Sequence, residues 1–318
     1  MNTPQLYDLV KLPDDTWRQQ GKALHLPPHV RRYLLRFGMY RVLYGISDEI
    51  IGLMMLNGRP GTGKSVMVRW AADALSRALR TTGNALVINA AGLMDEHLGR
   101  SQKNAAELID TIAFSAGKKL TVVILDDAES LFMSREQSTK SNDPTDVVRV
   151  TTTILQGLDR LRFNPNVVQY ATLNIEGLVD EAILSRCDVT LSFELPNFAD
   201  RTAILSRKVQ GLAGERVLED LAAATEGESG RYLNTINLRA YLEGTAKCRQ
   251  DLTEADYLRA VGLTPTLELA KDEPCLNLLP NRSQATSLPK TKLLSQSTSS
   301  NPQPTYSNFQ NGTNWSGE

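Results

Sequence analysis

The segment that most narrows what this chain can become is Gly58-Arg59-Pro60-Gly61-Thr62-Gly63-Lys64-Ser65, which follows the apolar run Ile50–Leu56 and opens the amphipathic stretch Lys64–Arg80. It fits the pattern G-x-x-x-x-G-K-[ST]. Glycines at this spacing let backbone N–H groups turn inward around an anion. The first turn of a helix adds a partial positive charge at the same point. A buried strand, a glycine-rich turn and a helix in that order imply an α/β fold that holds phosphate. Gly58, Pro60, Gly61, Thr62, Gly63, Lys64, Ser65 and Val66 are therefore the candidate nucleotide contacts. Lys64 would reach the β- and γ-phosphates of ATP, and the Ser65 hydroxyl would bind Mg²⁺.

Such a loop needs a carboxylate at the end of a neighbouring buried strand. Val122-Val123-Ile124-Leu125-Asp126-Asp127 provides it, with apolar residues fit for a parallel strand and acids at its carboxyl end, where ligands bind in such sheets. Asp126 is assigned to the Mg²⁺ shell and Asp127 to polarising the attacking water.

The rest of the chain supports a doubly covered sheet. The expected strands are Ile50–Leu56, Ala85–Asn89, Leu120–Leu125, Val167–Leu173 and Val189–Phe193, giving a parallel five-stranded sheet. Between them lie helices predicted at Lys64–Arg80, Ser101–Ala116 and Thr145–Leu161, the last capped by Asp143 with Pro144 in its first turn. Helical signals then follow in series at about 200–211, 215–225, 230–246 and 253–261. The expected organisation is an N-terminal extension (1–30), a large α/β subdomain (31–196), a small all-helical lid (197–265), and a linker with a disordered tail (266–318). From about Gln284 the composition turns to Ser, Thr, Asn, Gln and Pro, too poor in aliphatics to offset the entropy of ordering. Tyr306, Phe309 and Trp315 in that tail leave a docking motif open.

Charge and cysteine content exclude several classes. Among 318 residues, 35 Lys and Arg stand against 36 Asp and Glu, so no global basic field holds nucleic acid or anionic membrane. Cys187, Cys248 and Cys275 show neither a metal-ligand spacing nor a disulfide framework, which fits a reducing cytoplasm. The first residues lack a basic segment followed by an apolar one, and no apolar stretch approaches the ~20 residues that span a bilayer. A cytoplasmic protein without a membrane segment is expected.

With these residues in hand, the chain resembles an AAA+ ATPase. Leu93–Ser101 sits where that family carries its first pore loop, which grips a substrate polypeptide, with His97 and Leu98 at the gripping positions. Asn174 matches sensor 1, Arg186 the arginine finger, and Arg231, in Gly227-Glu228-Ser229-Gly230-Arg231, sensor 2. The resemblance implies catalytic roles for Asp127, Asn174, Arg186 and Arg231. Because the family supplies its finger from a neighbouring subunit, it also implies a ring or filament, most often a hexamer.

Within AAA+ proteins the chain is similar to the pachytene-checkpoint family and its bacterial relatives, whose members remodel HORMA-domain proteins. The likeness runs over about Leu93 to Tyr241 and rests on Ile124–Leu131, Pro144–Val150, Asn166-Val167-Val168, Ser185–Asp188 and Ser229–Leu233. Three features depart from the family pattern. Asp127 stands where most members have Glu, one methylene longer, and a misplacement of about 1 Å can lower rate on the order of 10²-fold, so slow hydrolysis is expected. His97 replaces the usual aromatic. Only about thirty residues precede the ATPase module, short of a separate recognition domain. Three functions stay open on these residues: an ATP-driven remodeller of a protein partner such as a HORMA-domain protein, a DNA-associated loader or regulator that assembles on duplex DNA, and a nucleotide-binding scaffold with negligible turnover. Arg31-Arg32, Arg36 and Lys118-Lys119 are the local basic sites on which the second depends.

Overall fold

Strands whose both faces are apolar must be covered twice, and the chain meets that demand with helices on each side of one sheet. A computed structural model describes residues 6–45, 50–89, 100–117, 119–129, 144–174, 184–209, 213–243 and 252–263, all within one compact unit, Met1–Leu269. The elements of the α/β part are β1 (Tyr7–Leu12), α1 (Asp15–Ala23), α2 (Pro28–Tyr44), β2 (Leu53–Gly58), α3 (Lys64–Ala78), β3 (Gly83–Asn89), α4 (Arg100–Ser115), β4 (Leu120–Asp126), α5 (Pro144–Leu161), β5 (Val167–Leu173) and β6 (Val189–Phe193). Helices then follow alone: α6 (Phe198–Val209), α7 (Glu215–Ala224), α8 (Gly230–Asn234), α9 (Ile236–Glu243) and α10 (Glu254–Ala260).

The sheet has the order β1-β3-β4-β5-β2-β6. All five expected strands are present and parallel, but the sheet has six strands, because β1 pairs antiparallel with β3 from Tyr7↔Ile88 to Leu12↔Gly83. The five-strand expectation is thus corrected at the edge. As an edge strand β1 is buried on few positions, with Leu9 54% exposed, so it lacks the apolar run by which the inner strands announce themselves. What fixes it is a long-range closure: the Asp14 backbone N–H donates to the buried Asp73 of α3 at 2.9 Å, and Asp14 Oδ1 caps α1 at the Trp17 N–H, 2.7 Å away.

Side-chain alternation sorts the inner strands onto two cores. Val123 and Leu125 pack with Ile109, Ile112, Ile154 and Leu158 of α4 and α5. Val122 and Ile124 pack on the other face with Met67, Ala71 and Leu75 of α3. A third core, built on Leu205, Leu221, Leu233, Ile236 and Tyr257, belongs to the helices after β6. The single helix expected at 230–246 is divided at Thr235, whose hydroxyl donates to Tyr232 O at 2.7 Å and competes with the helical ladder. The Asp143 cap, the Leu93–Ser101 pore loop up to Gly99, and the C-terminal tail lie outside the described residues.

Strand order reverses at β2, which sits between β5 and β6 while its successor β3 lies beyond β4. That reversal opens a crevice at the carboxyl ends of the strands, the place where such sheets bind ligands. The opposite end of β2 is fastened by Asp188, whose carboxylate accepts the N–H groups of Ile51, Gly52 and Leu53 at 2.9, 2.6 and 3.1 Å. Beside it the fully buried Arg41 of α2 donates to the carbonyls of Gly45, Arg162 and Asn164. These contacts hold the base of the sheet, at the end away from the crevice.

Candidate functional site

The loop after β2 turns on glycines that no other residue replaces. Gly61 has φ +81° and Gly63, which caps α3, has φ +100°, both in the left-handed region. A Cβ at Gly61 would stand 2.7 Å from Ser229 Oγ, and one at Gly63 would stand 2.6 Å from Leu24 Cδ2. The loop is braced by the Thr62 hydroxyl, which donates to Arg59 O at 2.8 Å. Pro60 is exposed, and Ser65 and Val66 are half-buried in the first turn of α3.

Lys64 is 4% exposed, and its ammonium folds back over the loop, donating to Gly58 O at 2.6 Å and Arg59 O at 3.0 Å. Burial lowers its pKa from the ordinary value. The negative charges of Asp127, Glu129 and Asp126 oppose that shift, and Arg231 adds to it. The Lys64 ammonium therefore lies within the field of four charged side chains, Asp127, Glu129, Asp126 and Arg231.

Asp126, at the end of β4, is held from two elements. Its Oδ1 accepts the buried Thr172 hydroxyl of β5 at 2.7 Å and its Oδ2 accepts Arg69 Nη2 of α3 at 2.9 Å. Thr172 Oγ1 in turn accepts the Asp127 N–H at 3.0 Å. Asp127 is exposed with φ +50°. Asn174, just past β5, donates through Nδ2 to Asp127 Oδ1 at 2.7 Å and to Glu129 Oε1 at 2.8 Å. Arg231 enters from the helical side: its backbone N–H donates to Gly61 O at 3.1 Å, and Ser229 caps α8 at the Tyr232 N–H, 3.3 Å away.

The crevice thus brings together Lys64, Asp126, Asp127, Asn174 and Arg231. Arg186 is placed elsewhere, its Nε donating to Asp159 of α5 at 3.1 and 3.2 Å, in a cleft with Arg160, Arg162 and Phe163. His97 and Leu98 lie outside the described residues. Thr172, Arg69 and Glu129 escaped sequence reasoning. For the first two no local signal exists, because their contact with Asp126 depends on β5 and α3 flanking β4. Glu129 was in view, two residues past the second acid, but nothing local gave it a task.

Next to the loop lies a cavity of about 730 Å³ reached by Thr62 and Gly230 and walled by Leu24, Leu26, Phe193 and Ile204. That is within the usual size of a small-ligand site, about 300–1,000 Å³. His25 Nε2 and Asp200 Oδ1 meet at 3.1 Å across its rim, so the segment before α2 and the first turn of α6 share it. Among the described residues no group of three or more His, Cys, Asp or Glu could hold a metal ion by itself. Ser65 and Asp126 are hard oxygen donors suited to Mg²⁺, which commonly takes one or two protein ligands and completes its shell with phosphate and water. Left-handed loop glycines, a buried ammonium and these donors fit a magnesium nucleotide. No helix among the described residues is long and apolar enough to cross a membrane.

Residues 54–195 match the model of the ATPase family associated with various cellular activities, AAA. The chain is 34% identical over 211 residues to CD-NTase-associated protein 6 of Pseudomonas aeruginosa, covering 64% of this chain and 69% of that protein. It is 29% identical over 235 residues to a putative pachytene checkpoint protein 2 of Caenorhabditis elegans, 72% of this chain and 55% of that protein. The chain thus spans about half the length of the latter. In fold it is similar to a chain of an E. coli MS115-1 HORMA:CdnC:Trip13 complex, with TM-score 0.70 and 19% identity, covering 84% of this chain and 98% of that one. It is also similar to C. elegans PCH-2, with TM-score 0.67 and 21% identity, covering 80% and 74%.

Proposed function

From a chain that belongs to the AAA family of ATPases, in the group that includes CD-NTase-associated protein 6, we propose an ATP-driven remodeller that changes the conformation of a HORMA-domain protein partner. The observation that carries it is the contact of the helical part with the phosphate loop, Arg231 N–H on Gly61 O at 3.1 Å. A lid that touches the loop must respond to what the loop holds, and a nucleotide cycle thereby becomes a movement. The naming of HORMA in a structure of the same fold supports the choice of partner. The DNA-loader alternative receives no support from the relatives and structures just described.

In this function residues 58–66 cradle the phosphates, Lys64 neutralises them, and Ser65 and Asp126 hold Mg²⁺. The bound metal supplies charge neutralisation on the transferring phosphoryl group. Asn174 orients the carboxylates, and Arg231 brings its guanidinium from the lid. Arg186 serves the site of a neighbouring protomer in a ring, a hexamer by family habit. The cavity walled by Leu24 and Phe193 takes the nucleoside. Residues 31–196 then act as the ATPase body, 197–265 as the lid, 1–30 as an extension and 266–318 as linker and tail. His97 and Leu98 grip the partner polypeptide. A reducing cytoplasm suits its cysteine pattern. Asp127, one methylene shorter than Glu, makes slow turnover the expectation when it acts alone.

The test is Mg-ATP turnover of the full chain, with Lys64→Ala as control, alone and with a HORMA-domain protein of the same organism. We expect Lys64-dependent phosphate release that rises when the partner is added, and nucleotide-dependent co-elution of the two. Turnover indifferent to every HORMA-domain protein offered would leave an ATPase but remove the partner.

A further inference from the structure

We infer that Glu129 is a second carboxylate of the hydrolytic centre and takes the proton of the attacking water, making good the reach that Asp127 lacks; the inference rests on the ATPase function proposed above. Asp127 sits at φ +50°, a left-handed conformation in which Asp is several-fold enriched. The short side chain thus has a local backbone reason to be there. Two residues on, Glu129 supplies the longer carboxylate.

One amide joins the two. Asn174 Nδ2 donates to Asp127 Oδ1 at 2.7 Å and to Glu129 Oε1 at 2.8 Å, so both acids face the same point past the ends of β4 and β5. The other oxygen, Glu129 Oε2, is buried and has no hydrogen-bond partner among the described residues. Buried carboxylate oxygens are normally paired, and an orphan marks a position where a water or ligand supplies the missing donor. The negative charge of Glu129 also acts on the Lys64 ammonium, opposing the lowering of its pKa by burial. Glu129 is therefore close to the phosphate loop and not a distant surface acid.

The chemistry closes without any further reactant. The water oxygen forms a bond to the γ-phosphorus while the bond from that phosphorus to the bridging oxygen breaks, its electron pair leaving on ADP. The water's proton passes to Glu129 and from there to phosphate or solvent.

The experiment compares the full-length wild type with Glu129→Gln and Asp127→Asn, both of which keep the oxygen that Asn174 reaches. Three quantities are read: equilibrium binding of a fluorescent ATP analogue, steady-state phosphate release, and the identity of the nucleotide retained after rapid desalting. We expect Glu129→Gln to bind the analogue within about twofold of wild type, to lose turnover on the order of 10²-fold, and to retain ATP where wild type retains ADP. Asp127→Asn should lose less. Glu129→Asp is the second variant, should the amide disturb folding, and is expected to bind normally and turn over at an intermediate rate. Glu129→Gln or Glu129→Asp turning over within about twofold of wild type overturns the inference. So does Asp127→Asn falling further than Glu129→Gln, or normal turnover per assembled ring with failure only of assembly, which would make Glu129 a contact for the neighbouring protomer. A wild type without Lys64-dependent turnover defeats the ATPase function itself, and this inference with it. That outcome is distinct from a wild type that hydrolyses ATP alongside an equally active Glu129→Gln.

Discussion

Cys187 shows how far position governs a side chain that the sequence could describe only as an unpaired cysteine. Burial, with the neighbouring Asp188 charge adding to it, pushes its thiol from 9.0 up to about 12. Only the thiolate is a good nucleophile. In a chain carrying Cys248→Ser and Cys275→Ser, iodoacetamide at pH 8 should modify folded protein on the order of 10²-fold or more slower than protein unfolded in urea. Equal rates would refute it. The same shift carries a sign for stability. The folded state keeps a proton that the unfolded chain loses above pH 9.0, so this thiol's contribution is present below 9.0 and declines as pH rises toward about 12. At this scale the loop residues 58–66 and Asp126 stand out in the sequence because their types and spacing suit the chemistry of a magnesium nucleotide. Glu129 and Thr172 do not, since each takes its meaning from a strand that is distant in the chain.

Helices and strands differed in how openly they declared themselves. α5 was plain from its capping signals and apolar period, yet it carries Gly157 in its interior, which costs about 1 kcal/mol against Ala in an isolated helix. The reason is its neighbour: a Cβ at Gly157 would lie 2.3 Å from Ile109 Cγ1 of α4. Gly157→Ala should therefore destabilise, because overpacking of about 1–3 kcal/mol outweighs about 1 kcal/mol of regained propensity. A lowered thermal midpoint is expected, and a raised one would mean that α4 can retreat. β1 was illegible for the opposite reason. An edge strand needs neither a continuous apolar run nor strict alternation, only a free edge, and that edge was β3, distant in the chain, with Tyr7 opposite Ile88 and Leu12 opposite Gly83.

For the molecule as a whole, the function proposed above makes Arg186 the residue that limits what one chain can do alone. Its partner is Asp159, while Lys64, the acids and Arg231 gather around the phosphate loop. A complete site would then need Arg186 from a second copy. Lys64→Ala and Arg186→Ala should each be inactive in phosphate release. Mixed in equal amounts they should recover about a quarter of wild-type turnover, the fraction of interfaces that pair an intact loop with an intact arginine. Mixtures as inactive as the single variants would place Arg186 in a structural role within its own chain.

The sequence by itself determined the class of fold, the order of the parallel strands along the chain and the glycine-rich loop that opens α3. Each of these is written in contiguous residues whose period or spacing has one physical use. Only the tertiary structure decided the sixth strand, the shared hold of Thr172 and Arg69 on Asp126, the bridging of Asp127 and Glu129 by Asn174, and the pairing of Arg186 with Asp159. These are relations between segments that only the packing of the sheet brings within 3.5 Å of one another. A hydrogen bond at that range leaves no trace in the order of residues along the chain.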